Sequence, residues 1–553
     1  MAARRTPSRI DRRYWLLPLV LAASVVWCKQ ITVGGLGWSD APLHAMDGVF
    51  IHDLVRHFPG GSLQAWAEGY FAKYPCLGLI VYYPPVFAVV EAAMFAVFGI
   101  SAAVARLTVV LFALAALLAL YWVARQLLDR DSAVFAAAVW AAFPSTVLWS
   151  RQVMLEVPAV ALVLVCCGLY LKFRSTRRMG WLWAAAAALV LAVLTKQWAA
   201  FIGLVMAIDL VVQLGWRKAL TWRTLLLAAV TAGLIVGYVV FSWHYAHLSR
   251  FLVRGQGWSH LLDVRHWAYY LFALPEVLGW AGLMFSIIGL LLLAVAERVR
   301  QVGFALLWIV VFYVFASVVY HKEPRYFYFV TPPAAMLIGG GLSLAVKGTD
   351  LKRWCEALLL VLVCWQFVVS WYVGPGRLSS YRRAASLVHE SEPRGALKLV
   401  LVDAVRDGQF VFDMRVEQGF EGRAYTLRGS KVLYSRAARM RWQYSPYVET
   451  HEDVRRLIDR YGIEYIVVEN VPPRTPDWQD FFPPPSRLLR EVLADPQRFR
   501  KIDEFAVADD PRSVWYGVNV EVYRNLQVAP RRSNRLKIPI PAMGRELELI
   551  LPE

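Results

Sequence analysis

Residues 77–99 read LGLIVYYPPVFAVVEAAMFAVFG, and whether this stretch crosses a bilayer fixes the side on which every later loop lies. In apolar length alone it qualifies, since a hydrocarbon core takes roughly 20 residues of helix. Two features argue against crossing. Pro84-Pro85 interrupts a helix, and Glu91 would set a carboxylate in mid-membrane. The loops decide the matter. If 77–99 crossed, the basic cluster Lys172, Arg174, Arg177 and Arg178 would face outward, against the rule that short basic loops stay in the cytoplasm. The stretch therefore reads as an interfacial helix.

Working outward, apolar runs recur at 14–30, 103–123, 132–148, 156–172, 180–195, 198–215, 224–243, 276–295, 302–320, 327–346 and 355–373, and then stop. That predicts about eleven transmembrane helices. Arg4, Arg5, Arg9, Arg12 and Arg13 then lie inside, with Arg125, Arg130, Arg217, Lys218, Arg223, Arg298, Arg300, Lys347, Lys352 and Arg353. The basic N-terminus followed by YWLLPLVLAASVVW reads as an uncleaved signal anchor.

Composition agrees with a membrane chain. Of 553 residues, 58% are hydrophobic and only 18% charged, where soluble domains carry roughly a quarter. The net charge of +18 lies largely in short loops. No Lys/Arg-rich run is interleaved with base-stacking aromatics, so nucleic acid is excluded as a partner. Six cysteines show no CxxC or Cys/His spacing, and the C-terminal part has none, which argues against disulfides and structural metal.

From 378 on the pattern changes. ALKLVLVD (396–403) and IEYIVVEN (463–470) read as strands, and VWYGVNVEVYRN (514–525) alternates as a third. HEDVRRLIDRYG (451–462) is an amphipathic helix capped by Thr450 and stopped by Gly462. The expected architecture is an all-α polytopic membrane domain over 1–377 with its first external loop at 31–102, then an external α/β domain over 378–553. The tail shows no nucleotide loop, no GxSxG and no metal pattern. A scaffolding or acceptor-binding role is expected for it.

With this topology the outer face gathers charge. GWSDAPLHAMDG (37–48) puts Asp40, His44 and Asp47 at i, i+4 and i+7, on one helix face. Later outer loops bring Lys73, Arg151 and Glu156, Lys196, and HKEPRYF with His321, Lys322, Glu323 and Arg325. Lys196 is basic on the side where loop charge is disfavoured, which raises its functional weight. Acids opposite cations suit one task. A carboxylate takes the proton of an acceptor hydroxyl while cations neutralise a departing phosphate. No nucleotide motif is needed if the donor is a lipid phosphate. Two alternatives stand beside this: a divalent cation held by Asp40, His44 and Asp47, and a polytopic transporter or flippase-like protein of the cell envelope. The absence of an obvious inverted repeat and the few intramembrane charges weigh against transport.

Trp38-Ser39-Asp40, Tyr83-Pro84-Pro85-Val86, FGISAAVARL (98–107), RQVMLEVP (151–158), LTKQ (194–197) and PRYFYFVTPP (324–333) follow in an order that resembles the GT-C glycosyltransferases. The resemblance is to bacterial relatives of protein O-mannosyltransferases and of the lipid A aminoarabinose transferase. It implies a polyprenyl-phosphate monosaccharide donor, an inverting transfer on the outer face of the cytoplasmic membrane, and a lipid, protein or glycan acceptor. Carried over, Asp40 is the general base and Glu156 orients the acceptor or a cation. Lys196 and Arg325 meet the donor phosphate. Apart from the resemblance, their place on the outer face sets Asp47, Tyr83 and His321 among the expected substrate-binding residues. Two departures stand out. The family's Asp-Glu pair is Asp40-Ala41, and the lysine before its proline motif is Tyr83. A further phosphate contact is then left to Lys73, Arg151 or Lys322.

Overall fold

The computed structural model describes residues 15–79, 83–245, 252–253, 255, 257–344, 351–372, 378–391, 397–437, 442–474, 482–508, 511, 513–540 and 545–550. The N-terminal arginines, Tyr82, Lys347 and the expected boundary at 377 lie outside them, as does the Lys352 side chain. Contacts divide the chain into two compact units. One comprises 1–31, 107–239 and 251–374, and the other 32–106, 240–250 and 375–553. Residues 32–106 thus group with the C-terminal segment, whereas the sequence suggests a linear division at 377.

Among the described residues, seven helices are long and apolar enough to cross a membrane: Ala102–Leu127, Glu156–Thr176, Gln197–Leu214, Trp222–Trp243, Val264–Val295, Val299–Val318 and Arg353–Tyr372. Arg130–Ala142 and Pro144–Ser150 form an eighth if counted as one span bent by 63°. The bend has a local cause. Pro144 disfavours helical torsions at Phe143, which sits at φ −54°, ψ 135°. Other expected spans are shorter or broken. Helices Leu16–Trp27 and Met179–Val193 stand at 14–30 and 180–195. The run 327–346 is a 3-10 turn, then helix Thr331–Gly339 with Pro332 and Pro333 in its first turn, then a π segment Gly340–Leu344. Among the described residues of 77–99 the helix is Val86–Phe98, 13 residues or about 20 Å, short of the roughly 30 Å core.

Glycine permits a close backbone approach in the first unit. A Cβ on Gly341 would overlap the backbone of Gly289, and one on Gly289 would meet the Leu337 carbonyl. Small residues permit such backbone approach between apolar helices.

The second unit is built on a five-stranded sheet in the order Ala424–Arg428, Lys398–Asp403, Tyr465–Glu469, Asn519–Asn525, Phe499–Ala506. The first three are parallel and the rest antiparallel. Lys398–Asp403 is buried along its whole length, the pattern of a strand covered on both faces. Val400, Val402, Val467, Val520 and Val522 meet Phe410, Met414, Tyr381 and Trp515 in its core. The helix expected at 451–462 is present as His451–Tyr461. Thr450 and Asp453 form a capping box, and Gly462 closes it at φ 60°.

In the same unit Arg106 donates to the carbonyls of Val33, Gly34 and Gly35, which holds the start of the segment 32–106. Helices Ala41–His57, Leu63–Lys73 and Val86–Phe98 follow along that segment.

Candidate active site

The acidic helix, Ala41–His57, starts at Pro42 in its first turn, as the sequence suggests. Asp40 occupies the N-cap position but keeps helical torsions (φ −89°, ψ −13°) and makes no capping bond with its side chain. Its carboxylate is half-buried and meets the Ser39 hydroxyl at 3.4 Å.

The other members of the stripe turn to different tasks. His44 is buried against the Tyr83 ring, 4.3 Å between centroids, and near Phe87. Asp47 is 2% exposed, and its Oδ1 accepts the amides of Gly78 (2.8 Å) and Leu79 (2.9 Å). Burial pushes its carboxyl up to about 7 against the pull of those two amides. Asp47 therefore anchors the backbone just ahead of the proline pair, and Tyr83 packs beside it rather than extending a polar group as a lysine would. Gly48 leaves room for Glu91, whose carboxyl is fully buried with both oxygens lacking a hydrogen-bond partner among the described residues. Lys73 donates to the Phe420 carbonyl at 2.7 Å, and burial lowers its ammonium to about 8.

In the first unit, four of the expected residues come together. Glu156 opens helix Glu156–Thr176, fully buried, and its Oε1 receives the Lys196 ammonium at 2.6 Å. Lys196 reaches it from an extended residue (φ −153°, ψ 121°) just after helix Met179–Val193. Glu156 Oε2 is buried with no hydrogen-bond partner among the described residues. Glu323 bridges His321 (3.2 Å) and Arg325 (2.5 Å). Lys196 and Arg325 both lie over the Tyr326 ring, at 5.4 and 5.2 Å, and Trp198 packs on it at 4.9 Å. A lysine and an arginine are thus matched by two carboxylates around one aromatic ring. An incoming phosphate would compete with those carboxylates for the cations.

Two expected residues go elsewhere. Arg151 does not pair with Glu156 as a near neighbour would. It donates to the Val26 carbonyl (2.9 and 2.7 Å) and the Ser370 carbonyl (3.4 Å), deep in the helix packing. Lys322 donates to the carbonyls of Ala316 and Ser317 at 3.2 and 3.1 Å, over the Tyr270 ring. There it caps helix Gly303–Val318, with His266 and His260 on the carbonyls of Ser317 and Val318. Glu323, Tyr326 and Trp198 received no role from the sequence. The alternation of base and acid in HKEPR was the available signal for Glu323.

Among the described residues no group of three or more His, Cys, Asp or Glu is arranged to hold a metal. Asp47 Oδ1 is turned to two amides, so the stripe does not fit the cation alternative.

The family profile described as dolichyl-phosphate-mannose-protein mannosyltransferase matches residues 83–243. No curated protein sequence matches the chain. In fold, the chain is similar to ArnT from Cupriavidus metallidurans bound to undecaprenyl phosphate, at a TM-score of 0.60 and 17% identity over 94% of this chain and 100% of that one. It is also similar to the Archaeoglobus fulgidus oligosaccharyltransferase, at a TM-score of 0.56 and 13% identity over 83% of this chain and 70% of that one. In fold the chain thus resembles the GT-C glycosyltransferases as ArnT represents them, and the mannosyltransferase profile match is confined to residues 83–243.

Proposed function

We propose that this chain is an integral-membrane glycosyltransferase that moves a monosaccharide from a polyprenyl-phosphate donor to an acceptor hydroxyl, on the outer face of a bacterial cytoplasmic membrane. The observation that carries the reading is the cluster of buried Glu156 and Lys196 with half-buried Glu323 and Arg325 around Tyr326. Its Glu156 and Lys196 lie within the segment that the mannosyltransferase profile matches. The ArnT structure of like fold holds undecaprenyl phosphate, which supports a donor of that class.

In this reading Lys196 and Arg325 exchange Glu156 and Glu323 for the donor phosphate. The freed Glu156 carboxylate then accepts a hydrogen bond from the acceptor or sugar. Asp40 takes the proton of the acceptor hydroxyl as its oxygen attacks the anomeric carbon. The carbon–oxygen bond to phosphate breaks on the opposite side, and polyprenyl phosphate leaves with the electron pair. One displacement inverts the anomeric centre. Preorganised cations at the leaving oxygen and a positioned base each contribute about 10²–10⁴ in rate. The catalytic part falls within 1–377, with the segment 378–553 external.

The test is transfer by the purified chain from synthetic polyprenyl-phosphate sugars, with mass analysis of envelope glycolipids and glycoproteins from cells with and without it. Transfer that inverts the anomeric centre supports the reading. Unchanged envelope glycans and no transfer from any such donor would refute it.

A further inference from the structure

We infer that the C-terminal helix Asp407–Gln418 braces the acidic helix, with Arg415 and Asp53 as positioning residues for the group at Asp40. The inference rests on the proposed role of Asp40, and every contact it uses lies within the second unit.

Asp53 lies in the acidic helix, 13 positions beyond Asp40, and is fully buried. Arg415 meets it with both prongs: Nε to Oδ2 at 2.9 Å and Nη2 to Oδ1 at 2.7 Å. The Tyr70 hydroxyl adds a bond to Oδ2 at 2.8 Å, and His52 Nδ1 lies 3.0 Å from Oδ1. A forked guanidinium on a carboxylate fixes orientation as well as distance.

The same C-terminal helix reaches the chain just ahead of Asp40. Gln409, in its first turn, accepts the Leu36 amide at 2.7 Å, and Asp413 receives the Gln409 side-chain amide at 2.7 Å. Beyond its end, His57 stacks on Phe420 at 4.0 Å and 7°. The Tyr74 hydroxyl donates to the Gly419 carbonyl, and Gln418 donates to Tyr74. The acidic helix is therefore fastened before its first residue, one turn from its end and at its last residue by one C-terminal segment. A base must sit within hydrogen-bond reach of the proton it takes, and a shift of about 1 Å costs on the order of 10² in rate. Residues 407–420 thus hold the scaffold of the proposed base and touch no substrate.

The experiment uses the full chain in detergent. Arg415→Lys keeps the charge and removes the fork. Arg415→Met with Asp53→Leu replaces the buried pair by apolar groups, which keeps a folded protein where a single change would strand a charge. Both variants are expected to lower kcat about 10- to 100-fold, with the donor KM changed less than twofold. Hydrogen exchange over 41–57 should rise several-fold while the strand 398–403 keeps its protection. Unchanged exchange over 41–57 in Arg415→Lys would overturn the brace whatever the chain's activity. Raised exchange with full kcat would overturn the positioning role. A parent protein that transfers no sugar would count against the proposed function, and the exchange result would still decide the brace.

Discussion

Asp47 offers a prediction whose size follows from its surroundings. Its carboxyl ionises near 7 in the folded chain against an ordinary value of 3.8. A raised carboxyl penalises the folded state once the unfolded chain can ionise. The penalty is absent below about 3.8, grows through the window up to about 7 and then levels off. By linkage it amounts to about 4 kcal/mol in full, of which about 2–3 kcal/mol is added between pH 5 and pH 8. Asp47→Asn keeps an oxygen for the amides of Gly78 and Leu79 but cannot ionise. Its stability should therefore fall less than the parent's over that range. Asp47→Ala removes the acceptor altogether. Stranding two buried amides costs about 1–3 kcal/mol each, at every pH. The assay is thermal unfolding of the purified chain in detergent at pH 5 and pH 8, at one scan rate, for all three proteins. Other groups titrate in this range, so the quantity that counts is each variant's difference from the parent. An Asp47→Asn chain that loses as much stability as the parent from pH 5 to pH 8 would refute the reasoning.

Further outcomes are expected. Asp40→Asn should lower transfer by about 10² or more with donor affinity little changed, measured with a synthetic polyprenyl-phosphate sugar. Lys196→Ala should destabilise by about 3–5 kcal/mol, because it strands the buried Glu156 carboxylate, and adding Glu156→Gln should recover much of that in the same melt. Cys76 is 1% exposed, and burial pushes its thiol up to about 12. It should resist maleimide in the folded chain at pH 7 and react fully once denatured, as read by mass spectrometry.

The sequence displayed whatever its neighbours along the chain determine. Thr450, Asp453 and Gly462 bound a helix by local chemistry, and all three act as their types predict. Continuous apolar strands such as Lys398–Asp403 were legible for the same reason. The break at Phe143 was open to reading too, since Pro144 lies inside the expected span 132–148. The partners of charged groups were not legible. Arg151 has an acid five residues away yet goes to a carbonyl 125 positions distant. Lys322 stands among outer-face bases yet caps a helix end. Charge and periodicity place a residue on a face; only the packed fold says which buried polar atom needs it. The C-terminal segment shows the limit most clearly. Searched for motifs, it offers none, because Arg415 contributes by geometry alone.

The bond between Asp53 and Arg415 spans 362 positions. At about 5–20 residues per second, the ribosome delivers the arginine roughly 20–70 s after the aspartate. Through that interval the acidic helix exists without its brace, and membrane insertion proceeds around an unfinished second unit. Quality control in the cell thus meets a chain whose early loop matures last. Truncation anywhere before 415 leaves that loop with a carboxylate it cannot bury. C-terminal nonsense alleles should accordingly be cleared as misfolded protein rather than persist as shortened enzyme.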